Sequence, residues 1–308
     1  MKNRSFPCNA KSALLLSALR GMVVSSAIVS DQTPSVANLA PADPPAVVGV
    51  KPRGWRRELS AGEVLYVLTE GHWAIRGTQR VFRHLPSPPR CKMCYIPFQG
   101  FGGRVARLTG NGPSRKNPSL CSFCCETMSR NGGAEVDVAV LFADVRGSTA
   151  LGERTTPTEF TALLNRFYTV ATDTLVRHNA VINKLIGDEV MAFFVRGISG
   201  PEYRQQAVDT NTELLSAVGY GTREGPWLNM GVAVNAGIAY VGNVGGAVTD
   251  FTALGDTVNV AARMQGEAAG GELLIREGLG AEPHARAPRR TLNLRGHDEP
   301  IEVLVVTA

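Results

Sequence analysis

Val138-Ala139-Val140-Leu141-Phe142-Ala143-Asp144-Val145-Arg146-Gly147-Ser148-Thr149 is the stretch around which the chain is organised. An unbroken apolar run ends at one carboxylate, Asp144. Such a run is the pattern of a strand buried on both faces. Gly147, Ser148 and Thr149 suit a tight turn into a helix N-terminus. Asp144 is therefore expected at the end of a buried strand, beside backbone N–H groups of positive dipole character. A carboxylate with such N–H groups can hold a metal-chelated polyphosphate. The same residues could equally form an ordinary helix cap.

A second carboxylate narrows the choice. Two apolar segments between Ala180 and Phe194 flank Gly187-Asp188, a hairpin-turn signal. If both strands lie in one sheet, Asp144 and Asp188 can share a pair of divalent cations. Alone, Asp188 would read as a common turn aspartate.

Three segments together resemble the signatures of class III nucleotidyl cyclases. They are Phe142 to Thr149, Lys184-Leu185-Ile186-Gly187-Asp188-Glu189, and Leu254-Gly255-Asp256-Thr257-Val258-Asn259-Val260-Ala261-Ala262-Arg263. The resemblance covers roughly Glu135 to Val306. It implies a ferredoxin-like α/β (α+β) catalytic domain that acts as a homodimer on a nucleoside triphosphate. It also implies two Mg²⁺ or Mn²⁺ ions per site, held by Asp144 and Asp188. One ion activates the ribose 3′-oxygen and the other grips the phosphates. Phe142 and the loop Val145, Arg146, Gly147, Ser148 and Thr149 would contact substrate, the loop through its N–H groups. Asn259 would orient the ribose, and Arg263 would neutralise charge in the transition state, a task that suits a guanidinium.

Lys184 and Thr252 match the positions that read the purine. A lysine can donate to adenine N1, and a threonine hydroxyl can accept from N6. The pair resembles that of adenylate cyclases converting ATP to 3′,5′-cyclic AMP and pyrophosphate. Thr252 stands where the commoner pattern has aspartate, as in the subgroup that includes bicarbonate-responsive cyclases. A guanylate cyclase would typically carry glutamate at Lys184. By the same resemblance, the aspartates of one protomer would work with Lys184, Thr252, Asn259 and Arg263 of the other. Two other readings stay open: a guanylate cyclase, and a catalytically silent nucleotide-binding or dimerisation module. Val234-Asn235-Ala236-Gly237 departs from the usual His-Thr-Gly. Arg295 and His297 are candidates for phosphate contacts.

Four domains are expected. Residues 1–54 read as a disordered or targeting-like tail: Arg20 interrupts its apolar stretch, and each half is shorter than the ~20 residues that span a bilayer. Residues 55–85 read as short amphipathic helices, separated at Gly71 and Gly77. Residues 86–133 carry Cys91-Lys92-Met93-Cys94 and Cys121-Ser122-Phe123-Cys124, spaced like a zinc ribbon. Cys91, Cys94, Cys121 and Cys124 are expected to hold structural Zn²⁺, with an iron–sulfur cluster as the alternative. Residues 134–308 are the catalytic domain.

Charge is divided unevenly. Residues 1–133 carry 18 Lys+Arg against 6 Asp+Glu, and residues 134–308 carry 14 against 21. This suggests docking within the chain or contact with an anionic partner. The basic cysteine segment shows no aromatic run or reading helix, so no nucleic acid is expected. Membrane contact is not expected either, and nucleotide chemistry points to the cytoplasm.

The remaining periodicities predict helices at Thr158–His178, Pro201–Val218 and Thr257–Glu267. Strands are predicted at Val136–Ala143, Val181–Ile186, Val190–Val195, Leu228–Ala236, Ile238–Val241, Glu272–Ile275, Thr291–Leu294 and Ile301–Val306.

Overall fold

The computed structural model describes residues 61–70 and 89–308, apart from 109, 116, 129, 131, 246–248 and 280–283. The expected tail over 1–54 lies outside the described residues, as does most of the helical stretch over 55–85. Among the described residues the order is α1 (Ala61–Thr69), α2 (Gly100–Leu108), α3 (Ser122–Met128), β1 (Ala134–Val145), α4 (Ser148–Arg154), α5 (Pro157–Arg177), β2 (Val181–Ile186), β3 (Glu189–Val195), α6 (Arg196–Ser199), α7 (Tyr203–Ala217), β4 (Met230–Gly245), β5 (Thr249–Leu254), α8 (Asp256–Glu267), β6 (Glu272–Arg276), β7 (Arg289–Leu292) and β8 (Ile301–Thr307).

The apolar run that ends at Asp144 is the central strand. β1 pairs antiparallel with β3 on one side and β4 on the other. The full sheet runs β2-β3-β1-β4-β6-β8-β7, with β5 paired to the far half of β4. β1 is buried on both faces because helices cover one side and a second layer covers the other. Leu141 and Ala143 pack with Phe167, Leu175 and Phe194 under α5 and α7. Val138, Val140 and Phe142 point the opposite way, into a cluster with Val258 and Ala261 of α8.

α5 forms where its residues demand it. Thr156 and Glu159 make a reciprocal capping box, and Pro157 occupies the first turn. Phe167, Ala171 and Leu175, each four residues apart, then form one fully buried stripe. The Val181–Ile186 hairpin strand and its partner appear as expected, meeting at Gly187, whose φ of 61° favours glycine.

Three local expectations change. The strands expected at Leu228–Ala236 and Ile238–Val241 are one strand, β4. Gly237 does not break it but stays in register with Val138. Its missing side chain makes room for α8: a Cβ there would lie 2.9 Å from Thr257 Oγ1. β5 was not foreseen, because its pairing with β4 is not written in its own short sequence. The cysteine segment is less loop-rich than its Gly and Pro content suggests, since it contains α2 and α3.

That segment packs directly on the sheet. Cys91, Cys94, Cys121 and Cys124 share a buried cluster with Val138, Phe193 and Val241. Asn243 Nδ2 of β4 donates to Met128 O of α3 at 3.1 Å. Val64, Val67 and Leu68 of α1 join the same cluster.

Candidate active site

Asp144 closes β1, and its Cα partner across the ladder is Glu189, the first residue of β3. Asp188 precedes Glu189 in the hairpin turn. The backbone closes the gap, because Val145 N–H donates to Asp188 O at 3.2 Å. Sheet pairing thus brings together two carboxylates 44 residues apart in sequence. The Tyr168 hydroxyl of α5 donates to Gly187 O and fastens the turn that presents Asp188.

This arrangement concentrates negative charge. Burial, and then the Asp188 carboxylate, push Asp144 up from 3.8 to about 6, against the pull of Arg146. Burial and Asp188 also raise Glu189 and the Tyr168 hydroxyl. Three oxygen-bearing acids crowded at one strand end, with one of them held near neutrality, are short of positive charge. Hard oxygen donors of this kind suit Mg²⁺ or Mn²⁺.

The loop after Asp144 is narrower in its capacities than its sequence suggests. The N–H of Val145 is spent on Asp188, and that of Arg146 on Asn229 O at 2.8 Å. The Arg146 side chain turns away from the loop. It donates to Gln265 O at 2.7 Å and Gly266 O at 3.3 Å, and lies 3.4 Å from Asp144. Arg146 therefore ties the end of α8 to the acidic cluster, where its charge favours the helix C-terminus. Gly147 takes φ 73° and opens α4, whose first residues are Ser148 and Thr149. Phe142 is buried beneath this corner.

Lys184 of β2 and Thr252 of β5 are linked through their neighbours in sequence. The ladder between β2 and β3 shifts register between Ile182 and Lys184, leaving Asn183 as a bulge. Asn183 Nδ2 donates to Phe251 O at 3.0 Å. Thr252 Oγ1 donates to Asn183 Oδ1 at 3.2 Å. On the neighbouring residues, Lys184 Nζ lies 3.7 Å from Asp250 Oδ2 in an exposed pair. Sequence reasoning missed Asn183 and Asp250. A polar residue beside each reading position was the available signal, but it carries no meaning until β5 is known.

Asn259 and Arg263 sit one turn apart on the exposed face of α8, while Val260, Ala261 and Met264 are buried. Arg263 Nη1 donates to Gly296 O at 3.3 Å, in the turn that carries Arg295 and His297. His297 Nε2 lies 3.8 Å from Asp256. Asn235 explains the departure in that part of the sequence. It is buried, and its Nδ2 donates to Thr257 O at 2.8 Å, holding the first turn of α8 to β4. Among the described residues, no hydrogen bond or ion pair joins Asp144 or Asp188 to Lys184, Thr252, Asn259 or Arg263.

The family model of the adenylate and guanylate cyclase catalytic domain matches residues 133–281, the segment holding all six of these positions. Over residues 133–281, just under half of its length, the chain is similar to nucleotidyl cyclase catalytic domains. Solved structures agree with this cyclase fold. The guanylyl cyclase Cya2 superposes with a TM-score of 0.51 and 26% identity, covering 56% of this chain and 93% of that one. The adenylyl cyclase CyaB from P. aeruginosa gives 0.51 and 24%, covering 57% and 96%. Among curated sequences, an uncharacterized protein of Mycobacterium tuberculosis is 33% identical over 213 residues, 66% of this chain and 35% of the relative. Another from that organism is 32% identical over 183 residues, 57% and 33%. The chain thus spans about a third of the length of the curated relatives it matches.

The four cysteines form a second centre. Their sulfurs lie within 4.8 Å of one another and all are buried. Cys94 Sγ and Cys121 Sγ are 3.7 Å apart, close to the ~3.8 Å edge of a tetrahedron with Zn–S bonds of about 2.3 Å. The backbone N–H of Cys121 donates to Cys91 Sγ at 3.2 Å, and that of Cys124 to Cys121 Sγ at 3.4 Å. Such donors stabilise thiolates. Hydrogen bonding with Cys121, then Cys124 and Cys94, holds Cys91 far below the usual thiol range, while bonding with Cys121 raises Cys94 and Cys124. Sulfurs that share protons this closely suit a thiophilic cation. Among the described residues, no helix is long and apolar enough to cross a membrane.

Proposed function

We propose that the protein is an adenylate cyclase, converting ATP to 3′,5′-cyclic AMP and pyrophosphate at a site shared across a homodimer. The observation that carries this reading is the acidic corner where Asp144 meets Asp188, together with the cross-strand bonds of Asn183 and Asp250 that link the strands carrying Lys184 and Thr252. The first pair supplies a metal-binding corner, and the second a donor and an acceptor spaced across two strands.

Asp144 and Asp188 would hold the divalent cations, which supply Lewis acidity at the 3′-oxygen and charge neutralisation at the phosphates. Tyr168 keeps the Asp188 turn in place. Lys184 would donate to adenine N1, and Thr252 would accept from N6. Asn259 would hold the ribose with its amide. Arg263, exposed on α8 and bonded among the described residues to one backbone carbonyl, would be able to swing to the phosphate that carries growing negative charge. Sharing of the site across two protomers follows the class III pattern that the three motifs resemble. A guanylate cyclase is the second reading, since Cya2 has the same fold. Lys184 disfavours it, because a lysine cannot accept from guanine N1–H.

Cys91, Cys94, Cys121 and Cys124 are assigned to one structural Zn²⁺, in a module that precedes the cyclase domain. A nucleoside triphosphate substrate would suit a cytoplasmic location. Asp144→Ala and Asp188→Ala test the reading. Each variant should stay folded and lose nearly all cyclase activity at saturating Mn²⁺. Substantial activity in either would refute the metal assignment.

A further inference from the structure

The bulge in β2 carries a consequence for which purine the site accepts. Asn183 stands outside the regular ladder and reaches across to β5. Its amide has only one usable orientation. Phe251 O is a backbone carbonyl and can only accept, so the group facing it must be the Nδ2 donor. Oδ1 is then fixed toward Thr252 Oγ1, 3.2 Å away, and it too can only accept. The second neighbour of the hydroxyl is Ala253 O at 3.3 Å, another acceptor. A threonine hydroxyl has a single proton, and both partners recorded for it demand that proton. Asn183 Oδ1, the shorter contact, takes it, so the hydroxyl offers the nucleotide lone pairs alone; without Asn183 only the longer contact to Ala253 O is left to compete with the base.

Resting on the cyclase reading above, we infer that Asn183 is a specificity-determining positioning residue: it fixes the polarity of the Thr252 hydroxyl as an acceptor and so selects adenine over guanine. The adenine edge presents an N6 donor beside an N1 acceptor, which matches a Thr252 acceptor beside the Lys184 donor. Guanine presents O6 as an acceptor beside an N1–H donor, the reverse of that order. Guanine would set O6 against a hydroxyl with no proton to give, and N1–H against an ammonium. A threonine free to rotate could turn its proton toward O6. Held by Asn183, it cannot do so without losing a hydrogen bond in a buried position, where Thr252 is 4% exposed. The β2 bulge thus supplies discrimination through a residue that need not touch the base.

The test measures dissociation constants of the full-length protein for the α,β-methylene analogues of ATP and GTP, which cannot be cyclised, alongside kcat/KM for ATP and GTP. In Asn183→Ala, the preference for the adenine analogue should fall about tenfold, the worth of roughly one buried hydrogen bond, chiefly by tighter guanine binding. Thr252→Val, which keeps the shape and removes the hydroxyl, should lose a similar factor. The double variant should lose little more than either alone, because both act through one group. A purely structural role would lower affinity for both analogues equally and leave the ratio alone. That result, or fully additive losses, would overturn the inference while leaving the cyclase reading intact. A wild-type protein that prefers the GTP analogue would overturn the adenylate assignment, and this inference with it. If Asn183→Ala fails to fold, Thr252→Val still decides: an unchanged ratio there overturns the inference.

Discussion

Replacing Asp144 with asparagine is expected to stabilise the metal-free protein while ending catalysis. The carboxyl is pushed from 3.8 to about 6 by burial and by Asp188. Its folded-state value is therefore above its unfolded one. Below pH 4 both states are protonated and the group costs nothing. Between pH 4 and 6 the native state holds the proton more tightly, so stability falls as pH rises through that window. Above pH 6 the full penalty is present. Two pH units correspond to about 3 kcal/mol at ~1.36 kcal/mol each. The side chain is 23% exposed, so solvent screening reduces this to roughly half, about 1.5 kcal/mol. For a domain of this size that is a gain of about 3–6 °C in Tm for Asp144→Asn at pH 7.5. Thermal unfolding followed by circular dichroism, with and without Mn²⁺, reads the effect. Mn²⁺ should raise the Tm of the wild type and barely move that of the variant. At pH 4 the two metal-free proteins should melt together. An asparagine variant less stable than wild type at pH 7.5, with an undiminished Mn²⁺ response, would refute the argument that this corner awaits positive charge.

Other consequences can be checked separately. Protein purified without added metal should contain one zinc per chain by elemental analysis; iron with visible absorbance would point to a cluster, and Cys121→Ser should lose the metal and unfold the segment around α3. Tyr168→Phe should raise the Mn²⁺ concentration for half-maximal activity about tenfold, because the turn presenting Asp188 loses its tether; an unchanged metal titration would assign Tyr168 to packing alone. Asp144→Ala and Arg263→Ala chains should each be inactive and recover about a quarter of wild-type activity when mixed, since half of the randomly formed dimers carry one intact site. No recovery despite demonstrated subunit exchange would place the whole site in one chain.

Legibility in the sequence followed the range of the interactions. β1, the Gly187-Asp188 hairpin and α5 were readable because their signals are local: an apolar run, a turn dipeptide and a capping box. The fold class followed from the same signals, and the family from three motifs in order. What escaped depends on residues distant in sequence. β5 owes its existence to β4, so the approach of Thr252 to Asn183, 69 residues apart, was invisible. Arg146 looked like part of a phosphate-binding loop, yet its guanidinium is taken up by α8 carbonyls, Gln265 lying 119 residues on. Gly237 resembled a break and proved to be the place where Thr257 approaches the sheet. The cysteine spacing announced that the four sulfurs would gather but not the face of the sheet on which the segment packs.

The central claim is that this chain cyclises ATP, and product identity tests it most directly. Purified full-length protein should be incubated with ATP or GTP and Mn²⁺, and the nucleotides identified by mass spectrometry. The account predicts 3′,5′-cyclic AMP with stoichiometric pyrophosphate from ATP, and far slower turnover of GTP. Cyclic GMP as the main product, or no cyclic nucleotide from a folded, dimeric, metal-loaded protein, would contradict it.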